Sequence, residues 1–480
     1  MSLVISGATI IDGVASHPIE GQSIWIEGRR IKAVGRRDEI GIPQGAEVID
    51  ARGQYVIPGL MDANVHLLCD VRLENLARHM DRYEDLIAEA AQVALKSGLT
   101  TVFDTWGPRR FLMAVRDRIN AGKTAGSRFF CAGNIVGFDG PFSQDFKSKA
   151  PEIASAALCR RINSIWVENV GRHLMWLTPD QLAKEVRAYV GKGIDFIKYA
   201  SNEHCWASAG AFLAFSPEAQ SVIVEEAHRA GITAQAHTMT VEGLRIAVEA
   251  GCDLIQHANI TGPIPIPEAT LELMARRRTG SVVFPFKKRA FDWIMENVSE
   301  IQRTMWQTSD ANLRNIIQSG APLLMATDAG LFAPEITSDP AWGNSSGRIP
   351  HEEDNLFRLG TGHFAWFAAM EEKGCAPMEM LRAATRNIAV AYGKDKDVGT
   401  IEPGKLADLL ILDKNPLQAA ENYRSIQTIL KEGSVVDRNA LPQQPILTKP
   451  MDMPAEEEAS YIPALLKTGS FPMCPTCMYH

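Results

Sequence analysis

The chain has 480 residues, 46% of them hydrophobic and 22% charged, the balance of a globular protein with one large core and room for a smaller second unit. Its formal net charge is −8, and Lys and Arg are scattered, so no basic stripe offers to neutralise a run of phosphates and nucleic acid is not an expected partner. No stretch reaches the roughly 18 uninterrupted apolar residues of a membrane span, and the first residues lack the basic and apolar regions of a secretory signal; the expectation is a cytoplasmic protein with no membrane partner.

In chain order, the first elements are short strands bounded by Gly, Pro or Asp, over residues 3–11, 21–27 and 30–34. The same texture returns at 399–413 and 426–436. The two chain ends, 1–57 and 398–440, are therefore expected to pair into one small β-sandwich domain. Between them, over 58–397, apolar strands alternate with amphipathic helices. Strands are expected at 59–66, 98–104, 128–136, 193–200, 232–237, 251–257, 280–284 and 322–328, with helices at 81–96, 179–191, 217–230, 240–250 and 312–319. Two further helices, near 354–373 and 377–392, would close the outer layer. Eight strands in this alternation predict an α/β fold, a (β/α)₈ TIM barrel of parallel strands. No fixed-period repeat is visible, which disfavours a solenoid. Residues 441–480, rich in Pro and Gln, with an acidic run from Glu456 to Glu458, read as a tail. Its Cys474 and Cys477 have the spacing of half a zinc knuckle or a redox dithiol, but no second pair accompanies them. The eight cysteines are irregularly spaced, and Cys131, Cys205 and Cys252 fall in or beside barrel elements, where reduced, buried thiols are expected.

Side chains at i and i+2 of a strand point to the same side, so Asn64 and His66 project together from the end of the first barrel strand. Lys198, His237, His257 and Asp328 end later apolar strands in the same way. That edge is where barrel enzymes place their catalysts. A lone histidine at a strand end is most simply a hydrogen-bonded structural residue, but six such polar residues on five strands are not explained that way. Their types and positions are those a divalent metal centre requires.

These residues lie in motifs that resemble the metal-dependent amidohydrolase superfamily. Val56-Ile-Pro-Gly-Leu-Met-Asp-Ala-Asn-Val-His66 is similar to its first-strand signature. Leu99-Thr-Thr-Val-Phe-Asp104, Phe196-Ile-Lys198, Ala234-Gln-Ala-His237, Ala250-Gly-Cys-Asp-Leu-Ile-Gln-His257 and Ala326-Thr-Asp328 follow in the family's order. Ala383-Ala-Thr-Arg-Asn387 and Gly399-Thr-Ile-Glu-Pro-Gly-Lys-Leu-Ala-Asp408 complete it, so the resemblance covers roughly residues 1–440. Spacing and helix content are most similar to the branch with imidazolonepropionases and proline-releasing dipeptidases. The departure is Asn64, where the family carries the first histidine of H-x-H. An Asn-x-His form resembles the subgroup of phenylurea hydrolases and molinate hydrolase.

The resemblance implies two divalent ions, Zn or else Mn, Co or Fe, with Lys198 carboxylated on its amine and bridging them. His237 and His257 would hold one ion; His66, Asp328 and Asn64 would hold the other, Asn64 either as a weak ligand or as a hydrogen-bond partner of the bound water. Two such ions against a carbamate, a carboxylate and a hydroxide leave about +1, suited to a neutral carbonyl that becomes an oxyanion. Asp328 and Lys198 are the expected catalytic residues, Asp328 moving a proton from the attacking metal-bound hydroxide to the leaving nitrogen or sulfur. Unmodified, a cationic Lys198 cannot ligate, and its alternative role is a salt bridge. The implied activity is hydrolysis of a carbonyl–nitrogen or carbonyl–sulfur bond in a largely apolar amide, phenylurea, carbamate or thiocarbamate, as in xenobiotic degradation. Alternatives are a dipeptidase or N-acyl amino acid hydrolase, and a non-catalytic scaffold, which retention of the other five site residues argues against. The expected partners are a small-molecule substrate and further copies of the chain in a homo-oligomer.

Three segments rich in aromatic residues and Met are candidates to line a flat, apolar pocket, the alternative being packing under long loops. They are Phe284 and Phe286 with Phe291, Trp293 and Met295; Met305 with Trp306; and residues 201–206. His173, His204 and His363 are further polar candidates, each with an ordinary structural alternative.

Overall fold

A computed structural model of the chain describes residues 2–41, 43–68, 74–146, 154–203, 211–331 and 351–449. The alternating apolar residues of the first segment form β1 (Ser2–Ile10), β2 (Ile19–Glu27), β3 (Arg30–Gly35), β4 (Glu47–Asp50) and β5 (Tyr55–Pro58). β1, β2 and β3 pair antiparallel, while β4 and β5 run parallel to β1. The far end of the chain returns to this edge. β14 (Leu409–Leu412) pairs antiparallel with β5, setting Leu410 opposite Ile57, and β15 (Ile426–Lys431) and β16 (Ser434–Val435) extend it. Strands from both chain ends join in one continuous eight-stranded sheet. Leu3, Ile5, Ile10, Ile24, Ile26, Leu409 and Ile411 pack into its own apolar cluster.

All eight internal strands form within their expected ranges and are shorter than expected. They are β6 (Leu60–Val65), β7 (Leu99–Asp104), β8 (Arg128–Cys131), β9 (Phe196–Ala200), β10 (Thr233–His237), β11 (Leu254–Gln256), β12 (Gly280–Val283) and β13 (Leu323–Met325). Nearly every residue in them is buried, the pattern of strands covered on both faces. They form two parallel sheets, β6-β7-β8 and β13-β12-β11-β10-β9. Backbone bonds stitch the sheets at both borders. Val136 N donates to Lys198 O and Ala200 N to Val136 O, each 2.9 Å; His66 N donates to Ala329 O and Asp328 N to Asn64 O, again 2.9 Å. Inside, the Tyr392 hydroxyl donates to Ala63 O at 2.7 Å and its ring stacks on Phe103 at 3.7 Å. Arg128, in β8, fixes the chain-end sheet by donating to Asp408 and, at 2.6 Å, to Glu432.

Helices follow the strands. The expected helix at 312–319 is the end of a longer one, Glu300–Ser319, whose start is set by a Ser299/Gln302 capping box. The stretch 377–392 is two helices, Pro377–Ala383 and Arg386–Ala391. Helices beyond those expected include Glu74–Arg78, Arg109–Asn120, Ala156–Val167, Glu268–Arg277 and Lys288–Asn297. In Arg109–Asn120 the apolar pattern is weak, since only Leu112, Val115 and Ile119 are buried among four arginines. No helix among the described residues is long and apolar enough to cross a membrane.

The first residues of the expected tail pack on the helix Tyr83–Lys96. Glu89, buried in the helix Tyr83–Lys96, accepts from Leu447 N and Thr448 N at 2.9 Å and from the Thr448 hydroxyl at 2.6 Å. Cys131, Cys159, Cys252 and Cys375 are free and buried. Cys205, the 456–458 acidic run, Cys474 and Cys477 lie outside the described residues.

Candidate functional site

Asn64 is in β6 with His66 just beyond it, Lys198 is in β9, and His237 is the last residue of β10. His257 follows β11 and Asp328 follows β13. The last two have left-handed backbones, φ 55° each, a conformation that non-glycine residues adopt at some energetic cost and that here turns each chain sharply at the strand end. All six cluster at the carboxyl ends of the parallel strands.

Within the cluster the residues form two pairs and a chain. His66 Nε2 lies 2.9 Å from Asp328 Oδ1 across the border between the two sheets. The His237 and His257 rings meet edge to face with centroids 4.8 Å apart. Lys198 Nζ donates to the Thr105 hydroxyl oxygen at 3.1 Å, and that hydroxyl donates to Asn64 Oδ1. Among the described residues, no three His, Cys, Asp or Glu side chains stand close enough to form a metal cage by themselves. The donor chemistry nonetheless fits a cation: His66 Nδ1 and Asp328 Oδ2 are buried with no hydrogen-bond partner among the described residues.

Two buried carboxylates support the cluster. Asp62 accepts from Asn64 N at 3.0 Å, from Thr327 N at 3.2 Å and from the Thr327 hydroxyl at 2.6 Å, so it holds the backbones beside Asn64 and Asp328 together. Burial pushes its pKa up to about 7 against these bonds. Asp104, at the end of β7, accepts from Leu67 N at 2.8 Å; burial raises it too to about 7, opposed by His66 and Lys198 nearby. Asp62 and Asp104 stand within the quoted motifs, where position alone gave no role. Thr105 carried no signal beyond its place next to Asp104.

Aromatic rings enclose the cluster. Trp106 meets the His66 ring edge-on at 5.9 Å and stacks on Phe146 at 4.2 Å. Its indole N–H donates to Asn134 Oδ1 at 3.1 Å, and Asn134 in turn donates to Phe138 O at 2.7 Å. Phe138 sits edge-on to His237 at 5.7 Å, and Phe284 stacks on His257 at 5.4 Å. Of the expected aromatic segments, Phe284 reaches the His257 ring. Phe286 and Trp306 pack behind it, edge to face at 5.2 Å, and Phe291, Trp293 and Met295 lie against the outer core. Asn259 explains the fixed position of Phe284, accepting from its N at 3.0 Å and donating to its O at 3.2 Å. Ser201 donates to Gly243 O at 2.8 Å, a structural bond, and 204–206, with His204, lie outside the described residues. His363 is fully buried in the helix Gly362–Glu372, and His173 lies in a short turn of helix, Arg172–Trp176.

Parallel strands in an α/β fold, with polar side chains at their carboxyl ends beside aromatic rings, make a site of the kind that α/β enzymes build at the ends of their strands. The chain belongs to the amidohydrolase family. The amidohydrolase family model matches residues 306–437. The solved structure of molinate hydrolase is 35% identical with a TM-score of 0.87, over 94% of this chain and 98% of that one. Phenylurea hydrolase B is likewise 35% identical with a TM-score of 0.87, over 94% of this chain and 100% of that one. The imidazolonepropionase of Geobacillus kaustophilus (strain HTA426) is 25% identical over 444 residues, 87% of this chain and 90% of that protein.

Proposed function

We propose that this chain hydrolyses the carbonyl–nitrogen or carbonyl–sulfur bond of a largely apolar phenylurea, carbamate, thiocarbamate or aryl amide. In this reading the two parallel sheets make one closed (β/α)₈ barrel, with the chain-end sheet as a flanking β-sandwich. His66, Asp328 and Asn64 would hold one divalent cation and His237 and His257 a second, with a carboxylated Lys198 as a further ligand. The observation that carries it is the partly buried His66–Asp328 pair, 2.9 Å apart, with Asn64 of the same strand end linked through Thr105 to Lys198. The 35% identity to molinate hydrolase and phenylurea hydrolase B supports the substrate class.

When bound, the cations supply Lewis acidity and make water acidic enough to react near neutral pH. The remaining work falls to side chains. Asp328 accepts the proton of the attacking water on its buried carboxylate and passes it to the leaving nitrogen or sulfur. Trp106, Phe138, Phe146 and Phe284 exclude bulk water and receive the apolar body of the substrate. A hydrolysis screen over ureas, carbamates, thiocarbamates and N-acyl amino acids, with Zn²⁺, Mn²⁺ or Co²⁺ supplied, tests the reading. Turnover is expected on the first three classes, and Asp328→Asn should lower kcat by about 10²–10⁴-fold with the far-UV spectrum unchanged. Cleavage of N-acyl amino acids alone would overturn the substrate assignment in favour of the dipeptidase-like alternative.

A further inference from the structure

Asn64, Thr105 and Lys198 form a buried three-membered chain, with Asn64 and Thr105 fully enclosed. We propose that Thr105 is a positioning residue that couples the chemical state of Lys198 to the orientation of the Asn64 amide. Its one hydroxyl proton decides whether the amide turns nitrogen or oxygen into the site. The inference rests on the reading of Lys198 and Asn64 given under the proposed function.

An ammonium group carries three donors and no acceptor, so where Lys198 Nζ meets Thr105 at 3.1 Å the hydroxyl oxygen must accept. The single hydroxyl proton is then left for Asn64, and Asn64 Oδ1 takes it. That fixes the other end of the amide. Asn64 Nδ2 is buried and has no hydrogen-bond partner among the described residues, and an N–H₂ group in that place repels a cation. With Lys198 unmodified, residue 64 is therefore not a metal ligand.

Carboxylation reverses each step. The deprotonated lysine amine attacks carbon dioxide; a nitrogen–carbon bond forms, one carbon–oxygen π pair becomes an oxyanion lone pair, and the displaced amine proton passes to solvent. The carbamate oxygens accept and do not donate. Thr105 now gives its proton to the carbamate, and its oxygen lone pairs become free to accept from Asn64 Nδ2. The amide turns over, nitrogen gains the partner it lacked, and oxygen, a donor suited to hard cations, faces the site. Amide oxygen and nitrogen are nearly equal in size, so the turn displaces no neighbour. The backbone at Asn64 does not move with it, because its N is bonded to Asp62 at 3.0 Å and its O receives Asp328 N at 2.9 Å. A hydroxyl with one proton cannot donate in both directions, so the states of Lys198 and Asn64 are locked together.

The test uses metal-free, full-length protein: wild type, Thr105→Ser, Thr105→Val, Asn64→Asp and the Thr105→Val/Asn64→Asp double variant. Each is titrated with Co²⁺ with and without ¹³C-bicarbonate, reading the cobalt visible spectrum and the carbamate carbon by NMR. Bicarbonate should tighten Co²⁺ binding in wild type and equally in Thr105→Ser. In Thr105→Val about tenfold of that tightening should vanish, the scale of one hydrogen bond, with an altered cobalt spectrum. Aspartate presents oxygen either way, so in the Asn64→Asp background Thr105→Val should leave the cobalt spectrum unchanged and lose only what the hydroxyl's bond to the carbamate contributes. An unchanged bicarbonate effect and cobalt spectrum in Thr105→Val, with a carbamate signal present, would overturn the relay alone. Absence of both the carbamate signal and Co²⁺ binding from wild type would overturn the metal-site reading beneath it. If Thr105→Val fails to fold, the Ser variant decides, because loss of its bicarbonate effect contradicts a role for the hydroxyl.

Discussion

His363 shows how a residue that resembles a site histidine can be part of the core. It is enclosed within the helix Gly362–Glu372, and burial, with the Arg424 guanidinium adding to it, holds its imidazole down to about 3. The unfolded chain's histidine takes a proton near pH 6.5, whereas the folded one does not until about 3. Its contribution to stability is therefore complete above pH 6.5 and is lost as pH falls, by up to about 1.4 kcal/mol per unit within that window. Replacing His363 by Gln should remove this component. The expected result is a smaller drop in unfolding free energy between pH 7 and pH 5 than in wild type, measured by urea denaturation; an equally steep drop would contradict it.

At the scale of elements, the decisive junction is between β6 and the end of β13. Asp62 sits on one side and Thr327 on the other, and their 2.6 Å hydrogen bond holds the strand ends from which Asn64 and Asp328 project. Thr327→Val deletes that donor while keeping shape, and should cost about 1–3 kcal/mol, because the Asp62 carboxyl is left buried with one partner fewer. Thr327→Ser should recover most of the loss. Denaturation midpoints of the two variants would settle the matter, and a Val variant as stable as wild type would show the junction to be held by the backbone alone. Local patterning revealed all eight internal strands because each is a short apolar run between turn signals. It revealed the outer helices unevenly, since a helix such as Arg109–Asn120 shows the core only a narrow stripe.

Across the whole molecule, the proposed cation ligands are drawn from strands distant in the sequence and meet only in the folded chain. A cation bound there stabilises the fold by mass action, about 2.7 kcal/mol at a hundredfold excess over Kd. Adding Zn²⁺ to the metal-free protein should raise Tm by several degrees, a chelator should reverse the rise, and Asp328→Asn should shrink it. A Tm indifferent to Zn²⁺ and to chelators would argue against a cation at this site.

Local apolar periodicity and motifs taken in order are enough to mark the strand alternation and the six polar residues that stand at strand ends. The motifs also carry the amidohydrolase resemblance, including the unusual Asn64. Which of these residues meet is visible only in the folded chain. His66 faces Asp328 across 262 residues of chain, and Thr105 stands between Asn64 and Lys198 with 93 residues separating it from the lysine. The wall of Trp106, Phe138 and Phe146 has the same origin. Periodicity reports the direction of a side chain relative to its own strand; its partner depends on how the two sheets meet, a property of no single segment.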